Sequence, residues 1–321
     1  MAENKTTDLQ AMEQTEHRHN GHHHHGKGRH SKGHKKPAES LKPGSMRYIW
    51  HNVSRNPGAM IGMILILLIL VLSLLSPYIC RYSFSQIDML SAKQAPSLNH
   101  LLGTDELGRD LLSRVLYGAR YTLYVGVFAT AFSAVLGIVM GAVAGYFGGV
   151  IDAVIMRFLD IFQAFPSMVL ALAFCAVFGT GLNESVIALG LTGIAGFARL
   201  MRANILRIRS MEYIEASVSI NCPTHKIISR HIVPNAISPV IVEIAMGISR
   251  NGLASSSLSF LGMGVQPPDP EWGAMLASAR DFIRHYPHMV IVPGIFIVIC
   301  VLSFNLIGDA LRDALDPKLK K

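Results

Sequence analysis

The chain has 321 residues, half of them apolar and only 16% charged, and its formal net charge is +8 at pH 7. Soluble domains carry about 25% charged residues, so this chain is too apolar for an ordinary soluble enzyme. The excess positive charge is not gathered beside aromatic residues, which argues against a nucleic-acid partner. The four cysteines show no paired spacing, which excludes a disulfide scaffold.

The N-terminal segment, residues 1–45, is polar and almost free of large apolar side chains, and this composition predicts a disordered tail. Eight of the 14 histidines lie in it. Neutral imidazoles at close spacing can bind Ni²⁺, Zn²⁺ or Cu²⁺. Three interpretations stay open: a metal-buffering or metal-sensing tail, a solvated polar tail that binds metal only in vitro, and an artificial tag. The weak metal ligands would be the consecutive His22, His23, His24 and His25.

The remaining sequence predicts an all-α polytopic membrane protein with six transmembrane helices, because a bilayer core requires about 20 apolar residues in helical form. The first apolar run is flanked by Arg47, Arg55, Trp50 and Tyr78, as expected of a helix anchored at both interfaces. The predicted spans are residues 59–80, 122–146, 160–178 (with Pro166 inside), 183–204, 235–258 and 288–309.

Basic residues predict the orientation of these spans. The connection between spans four and five, residues 199–231, carries six Lys and Arg residues. With six spans, the tail and the C-terminal lysines fall on the same side, which is then cytoplasmic. The loop 81–120 has five basic residues of its own, so the count favours this topology without settling it. The predicted organisation is a cytoplasmic tail (1–45), a first transmembrane helix with an extracytoplasmic loop (46–120), a transmembrane domain (121–310) and a cytoplasmic C-terminus (311–321).

Three glycines in the second span, Gly137, Gly141 and Gly145, are spaced four residues apart. Four residues advance a helix by little more than one turn, so these glycines form one stripe along it. Such a stripe lets the backbone of another helix approach closely. It predicts tight helix packing and indicates no specific activity.

The sequence lacks the phosphate-binding loop of nucleotide hydrolases, the nucleophile elbow, HExxH and CxxC. If it transports a solute, the energy must come from an ion gradient or from another subunit.

Two charges fall within the predicted fifth span. Glu243 lies about 14 Å along the helix beyond Pro234, near the middle of a bilayer, and Arg250 follows two helical turns later on the same face. They are candidates for the solvated edge of a translocation path, or else they pair with each other or with a partner chain. Alternatively, Arg250 extends to the outer membrane interface.

The segment 211–234, between spans four and five, predicts two short helices. The first would cover about 211–220, with Asn221 as a left-handed C-terminal cap. Pro223 would open the second helix, about 224–232, and Pro234 would break the chain before span five. Such a segment is either a plug for the groove of a partner or a surface connector without one.

This segment resembles the "EAA" coupling loop of the membrane subunits of bacterial ATP-binding-cassette (ABC) importers. Glu215, Ala216 and Ser217 stand for the Glu-Ala-Ala triplet, Asn221 takes the place of its glycine, and Pro234 follows 13 residues later. Ser217 and Asn221 depart from the motif, but both are physically mild changes. The resemblance implies that this turn docks on an ATPase.

Further motifs, in matching order, resemble the dipeptide, oligopeptide and nickel permease family, and in particular the C-type of its two paired membrane subunits. The family often has an acidic residue where Ser255 stands, just before its Ser-Leu-Ser-Phe-Leu-Gly run. The matching segments are residues 100–110, 117–120, 160–166, 257–262, 266–273 and 304–317.

The resemblance implies a type I ABC importer transmembrane domain in the bacterial inner membrane. Its implied partners are a homologous second permease that completes a heterodimeric pore, two ABC ATPase subunits that hold ATP and Mg²⁺, and an extracytoplasmic substrate-binding protein. The resemblance therefore also implies that this chain is not an enzyme and has no cofactor of its own. Peptides are the leading cargo, and nickel or a nickel chelate is the alternative. Two rival classes are a gradient-driven carrier, which would need no ATPase, and a metal-sensing membrane protein, which would transport nothing.

Overall fold

The computed structural model describes residues 46–315, and the secondary structure of this part is helical apart from one isolated bridge between Thr104 and Asp110. The predicted metal-binding histidines and the C-terminal lysines lie outside the described residues. The helices are α1 Met46–Arg55, α2 Pro57–Ile79, α3 Leu111–Phe147, α4 Gly149–Gln163, α5 Ser167–Phe178, α6 Leu182–Arg209, α7 Glu212–Ser219, α8 Thr224–Lys226, α9 Val233–Phe260, α10 Trp272–Ala279 and α11 His288–Leu315.

Local chemistry sets the helix ends. The side chain of Asn56 accepts hydrogen bonds from the backbone N–H groups of Gly58 (2.9 Å) and Ala59 (3.3 Å), so α2 begins with a capped N-terminus. Asp110 caps α3 in the same way through the N–H of Ser113 (2.8 Å). Gly148 ends α3 with φ +66°, a backbone conformation that suits glycine.

Helices α3 and α6 form the centre of the bundle and run in the same direction. Gly137 lies against Phe197, and Gly145 lies eight residues further on against Ile205. A methyl group on Gly141 would overlap the carbonyl oxygen of Ala198. The predicted glycine stripe is thus confirmed as the surface on which another helix packs.

Between residues 46 and 315, the chain crosses the bundle six times when the bent pair of α4 and α5 is counted as one crossing. Five helical stretches are long and apolar enough to span a membrane: α2, α3, α6, the continuous run 224–260 and α11. Because α3 and α6 are parallel, the chain between them must return to the opposite end, and α4 with α5 makes this return. The six predicted crossings therefore correspond to five unbroken helical spans and one broken pair.

The third crossing differs from the single helix predicted over 160–178. Helices α4 and α5 meet at an angle of 88°, with the break at residues 164–166. Pro166 disfavours helical geometry at Phe165, and its ring nitrogen cannot donate a backbone hydrogen bond. Pro166 therefore separates two helices where the sequence predicted one continuous span.

The prediction that Pro234 breaks the chain before span five is wrong. The helix runs without interruption from Thr224 to Phe260, because residues 227–232 form a π-helical turn. In this turn the N–H of Val233 bonds to the carbonyl of Ile228, five residues back. The wider turn accommodates Pro234, whose ring would clash with a carbonyl in a regular α-helix.

Candidate functional site: the coupling turn and the cavity along α9

The turn between α7 and α8 is a Schellman motif. Asn221 has φ +58°, which confirms the predicted left-handed cap. Its N–H bonds to the carbonyl of Val218 (2.9 Å), and the N–H of Cys222 bonds to that of Ser217 (3.1 Å). Pro223 then precedes α8 with an extended ψ of 133°. We call residues 211–226 the coupling turn.

The coupling turn is fastened to the bundle by a few buried isoleucines. One apolar cluster buries isoleucines from three elements. They are Ile214 from α7, Ile227 and Ile232 from the π-helical turn, and Ile205 and Ile208 from α6. Each fully buried isoleucine of this kind contributes about 1.5–3 kcal/mol. This cluster packs α7 against both α6 and the π-helical turn that continues into α9.

The coupling turn exposes large apolar side chains among polar and charged ones. Ile220 is 79% exposed and Val218 is 57% exposed. Glu215 and Ala216 are exposed as well, whereas Ser217 is half-buried and its hydroxyl donates to the carbonyl of Tyr213 (2.8 Å). Exposed apolar side chains on a rigid turn are typical of a surface that a partner covers.

Pro234 does not belong to this turn. It is the second residue of α9 and is exposed on that helix. Of the five residues predicted for the coupling loop, the structure brings Glu215, Ala216, Ser217 and Asn221 together and places Pro234 in the adjoining span.

Glu243 and Arg250 lie on one face of α9, as predicted, and their side chains form an ion pair with each other. Both border a cavity of about 310 Å³ between α5, α6 and α9. Sequence reasoning missed the polar groups that share this lining. These polar residues are Gln163, Ser167, Thr192 and Asn251. The sequence signal that could have identified them is a polar residue on one span opposite a small residue on a neighbouring span.

A second cavity, of about 660 Å³, continues along α9 toward the coupling turn. Glu243 borders both cavities, so it stands at their junction. Arg207 from the end of α6 and Arg312 from the end of α11 line this second cavity. The two cavities together carry three arginines and one acidic side chain.

The opposite end of the bundle holds buried charges that the sequence reasoning did not single out. Asp105 accepts from Nε of Arg109 (2.6 Å) and lies 3.3 Å from Nε of Arg114, and all three residues are buried. Nearby, on the exposed Asp88, the hydrogen bond from the Ser91 hydroxyl lowers the pKa of the carboxyl group. This network fixes the loop that precedes α3.

Glu271 joins three helices at the same end. It is fully buried and accepts from the hydroxyls of Ser256 (2.7 Å) and Thr122 (3.1 Å), and from the N–H of Ala274 (3.1 Å). The indole N–H of the neighbouring Trp272 donates to the carbonyl of Val115 in α3 (2.9 Å). Segments 100–110 and 266–273, which carry the sequence resemblance, both support the start of α3.

Within residues 46–315, no group of three or more His, Cys, Asp or Glu side chains is placed to hold a metal ion. The described site contains the Glu243–Arg250 ion pair, polar side chains in the adjoining cavity and exposed apolar side chains on the coupling turn.

Comparison with known proteins identifies this architecture. Residues 137–321 match the family model described as "Binding-protein-dependent transport system inner membrane component". The chain belongs to this family. Residues 45–96 of this permease also match the "N-terminal TM domain of oligopeptide transport permease C".

Curated relatives cover nearly the whole permease. It is 38% identical over 299 residues to the dipeptide transport system permease protein DppC of Alkalihalophilus pseudofirmus, covering 89% of this chain and 98% of the relative. It is 42% identical over 285 residues to the glutathione transport system permease protein GsiD of an Escherichia coli strain, covering 87% of this chain and 94% of the relative.

A solved structure shows the same fold. The inward-facing MetNI methionine ABC transporter aligns with a TM-score of 0.52 at 18% identity, over 63% of this chain and 96% of that chain. The protein is thus a multi-pass inner-membrane permease subunit of an ABC importer, with the type I fold that the sequence predicts. It is not an enzyme, since the ATPase is a separate subunit. This assignment excludes the two rival classes, the gradient-driven carrier and the metal-sensing membrane protein.

Proposed function

We propose that this permease forms one half of a heterodimeric pore that imports di- or short oligopeptides, with a homologous second permease as the other half. A binding protein delivers the peptide on the outer side, and two ATPases that hold ATP and Mg²⁺ drive transport from the inner side. The names of two relatives, a dipeptide and a glutathione permease, support a peptide cargo.

The observation that carries the mechanism is the exposed apolar face of the coupling turn, with Ile220 and Val218 at its tip. The turn is rigid because its backbone hydrogen bonds are closed by the Schellman motif. It is linked to α6 and α9 through buried isoleucines. Docking of this face on an ATPase would make the nucleotide state and the pore state share one coupling free energy.

The proposed orientation places both termini and the coupling turn in the cytoplasm. Helix α1 packs on the end of α11 through Val53, Ala310 and Ala314. Helix α11 is antiparallel to α9, because Ser249 bonds to Val301 while Gly308 lies against Met246. Both ends of the described chain therefore lie at the end that carries the coupling turn, which is also rich in arginine.

The charges along α9 favour a peptide over the alternative cargo, nickel. Arg207, Arg250 and Arg312 line the two cavities together with the single acidic side chain of Glu243. A net positive lining repels a divalent cation and attracts a carboxylate.

The test of the docking proposal is a pair of matched substitutions. Ile220→Glu places a charge on the apolar tip of the coupling turn, and Leu98→Glu places one at an equally open position (96% exposed) at the other end of the bundle. We expect the Ile220 variant to lose co-purification of the ATPase subunits and ATP-driven peptide uptake. The Leu98 variant keeps its ATPases. If both variants retain the ATPases and normal uptake, the docking proposal is wrong.

A further inference from the structure

The ion pair of Glu243 and Arg250 is a feature that a purely structural role does not explain. The two residues belong to the same helix, so their pairing joins no two elements of the fold. The Arg250 side chain is 59% exposed and that of Glu243 is 30% exposed, and both border the cavity between α5, α6 and α9. Charges at membrane depth are costly and usually mark the path of a polar substrate.

We propose that Glu243 and Arg250 are a recognition site for zwitterionic cargo, in which Glu243 binds the ammonium group of a passing peptide and Arg250 binds its carboxylate. This inference rests on the proposed function, because it assigns the chemical class of the cargo at the same path. The site is occupied by its own ion pair when no peptide is present.

The spacing of the two residues fits this cargo. Seven residues along an α-helix correspond to about 10.5 Å. An extended chain covers about 3.3–3.6 Å per residue, so a tripeptide measures about 10 Å. The side chains of Glu243 and Arg250 are long enough to meet each other, so they can also close on the termini of a dipeptide.

The exchange of partners keeps every charge compensated. Before the peptide arrives, each side chain neutralises the other; with the peptide bound, each one pairs with a terminus. A cargo with a single charge would leave Glu243 or Arg250 unpaired in the cavity, and an unpaired charge at this depth is penalised. The site thus favours molecules that carry both charges and disfavours a bare cation such as Ni²⁺.

The surroundings of the pair are suited to a mobile peptide backbone. Gln163, Ser167 and Thr192 present amide and hydroxyl groups to the same cavity. Gly196 on α6 leaves room beside them, since a methyl group there would meet nothing within 4 Å. The next charges along the route, Arg207 and Arg312, are both positive and lie toward the coupling turn. A carboxylate released by Arg250 would meet them next.

The experiment measures ATP-driven uptake by the assembled importer in proteoliposomes, with free alanyl-alanine as the reference and two blocked forms as the test peptides. Alanyl-alanine amide carries only the ammonium group, and N-acetyl-alanyl-alanine carries only the carboxylate. Three variants are compared with the unaltered complex: Glu243→Gln, Arg250→Gln and the control Asp152→Asn. The control also removes the acid of an Asp–Arg pair, that of Asp152 with Arg202 between α4 and α6, which does not line either cavity. The binding protein is the same in all complexes. Its own preference for one peptide therefore affects the ratio of the two uptake rates equally in every complex, and it cancels when that ratio is compared between a variant and the unaltered complex.

We expect Glu243→Gln to lower the rate of the amide relative to that of the acetylated dipeptide by about threefold, because only the amide carries the ammonium group that Glu243 binds. Arg250→Gln should raise that ratio by a similar factor, which is the size of effect that one partly exposed ion pair produces. The control changes both rates equally. Unchanged ratios in both path variants would overturn the inference. If the unaltered complex does not import free alanyl-alanine, the proposed function itself fails, which is a different result.

Discussion

At the end of the bundle that carries the loop before α3, charged side chains are buried among hydrogen-bond partners. At the other end, apolar side chains of the coupling turn are exposed. Asp105 and Glu271 each accept three hydrogen bonds in buried surroundings. Ile220 and Val218 face outward from a turn that is closed by backbone hydrogen bonds. The first end is therefore rigid by itself, whereas the second is arranged for a partner to hold.

This contrast between the two ends explains how a separate ATPase can drive movement in a subunit that has no ATPase of its own. Force applied to α7 reaches α6 and α9 through Ile214 and Ile227, which are buried between them. The rigid end resists the same force because its loops are tied to the start of α3. Relative movement is then concentrated between the two ends, along the cavities that α9 lines.

Glu271→Ala offers the strongest way to break the rigid end. The variant leaves the hydroxyls of Thr122 and Ser256 without their acceptor in a fully buried place, and we expect a loss of about 3 kcal/mol in the free energy of unfolding. Thermal unfolding of the purified complex in detergent measures it. Glu271→Gln retains one acceptor oxygen and should lose less. Equal stability of all three proteins would show that this end is not held as described.

Gly141→Ala tests the centre that connects both ends. The added methyl group overlaps the carbonyl oxygen of Ala198, so α3 and α6 must separate, at a cost of about 2 kcal/mol. The matched control is Gly294→Ala in α11, where a methyl group meets nothing within 4 Å. We expect the control to be as stable as the unaltered protein, and a control that is equally destabilised would refute the packing argument.

Substitutions at Asn221 test whether the coupling turn requires its left-handed residue, and of the changes considered they have the smallest effect on the free energy of unfolding. A β-branched residue at φ +58° is strained, so Asn221→Val should cost about 1–2 kcal/mol locally, while Asn221→Gly should be within a few tenths. Because the strain falls on the docking surface, we expect Asn221→Val to reduce peptide-stimulated ATPase activity, and Asn221→Gly to keep it. Full activity of the valine variant would mean that the left-handed turn is dispensable.

The sequence predicted the parts of the fold that follow from apolar runs and from backbone chemistry. The first span, predicted over 59–80, is observed over Pro57–Ile79. Asn221 adopts the predicted left-handed conformation, since few residues other than glycine tolerate it. These features depend on neighbouring residues along the chain.

Features that depend on distant residues were not predictable in the same way. The second span, predicted over 122–146, begins at Leu111, because Arg114 and Arg120 are compensated by the loop and by carbonyls of α2. The continuity of the helix through Pro234 depends on a π-helical turn that has no clear sequence signature. The burial of Glu271 requires hydroxyls from two other helices.

A photo-crosslinking amino acid at position 220 in the assembled importer tests directly whether the coupling turn contacts an ATPase subunit. We expect the coupling turn to form crosslinks to an ATPase subunit, with a yield that changes between the ATP-bound and nucleotide-free states. If position 220 crosslinks to lipid alone while the same complex imports peptide at the normal rate, the coupling turn does not dock on the ATPase and the proposed mechanism is wrong.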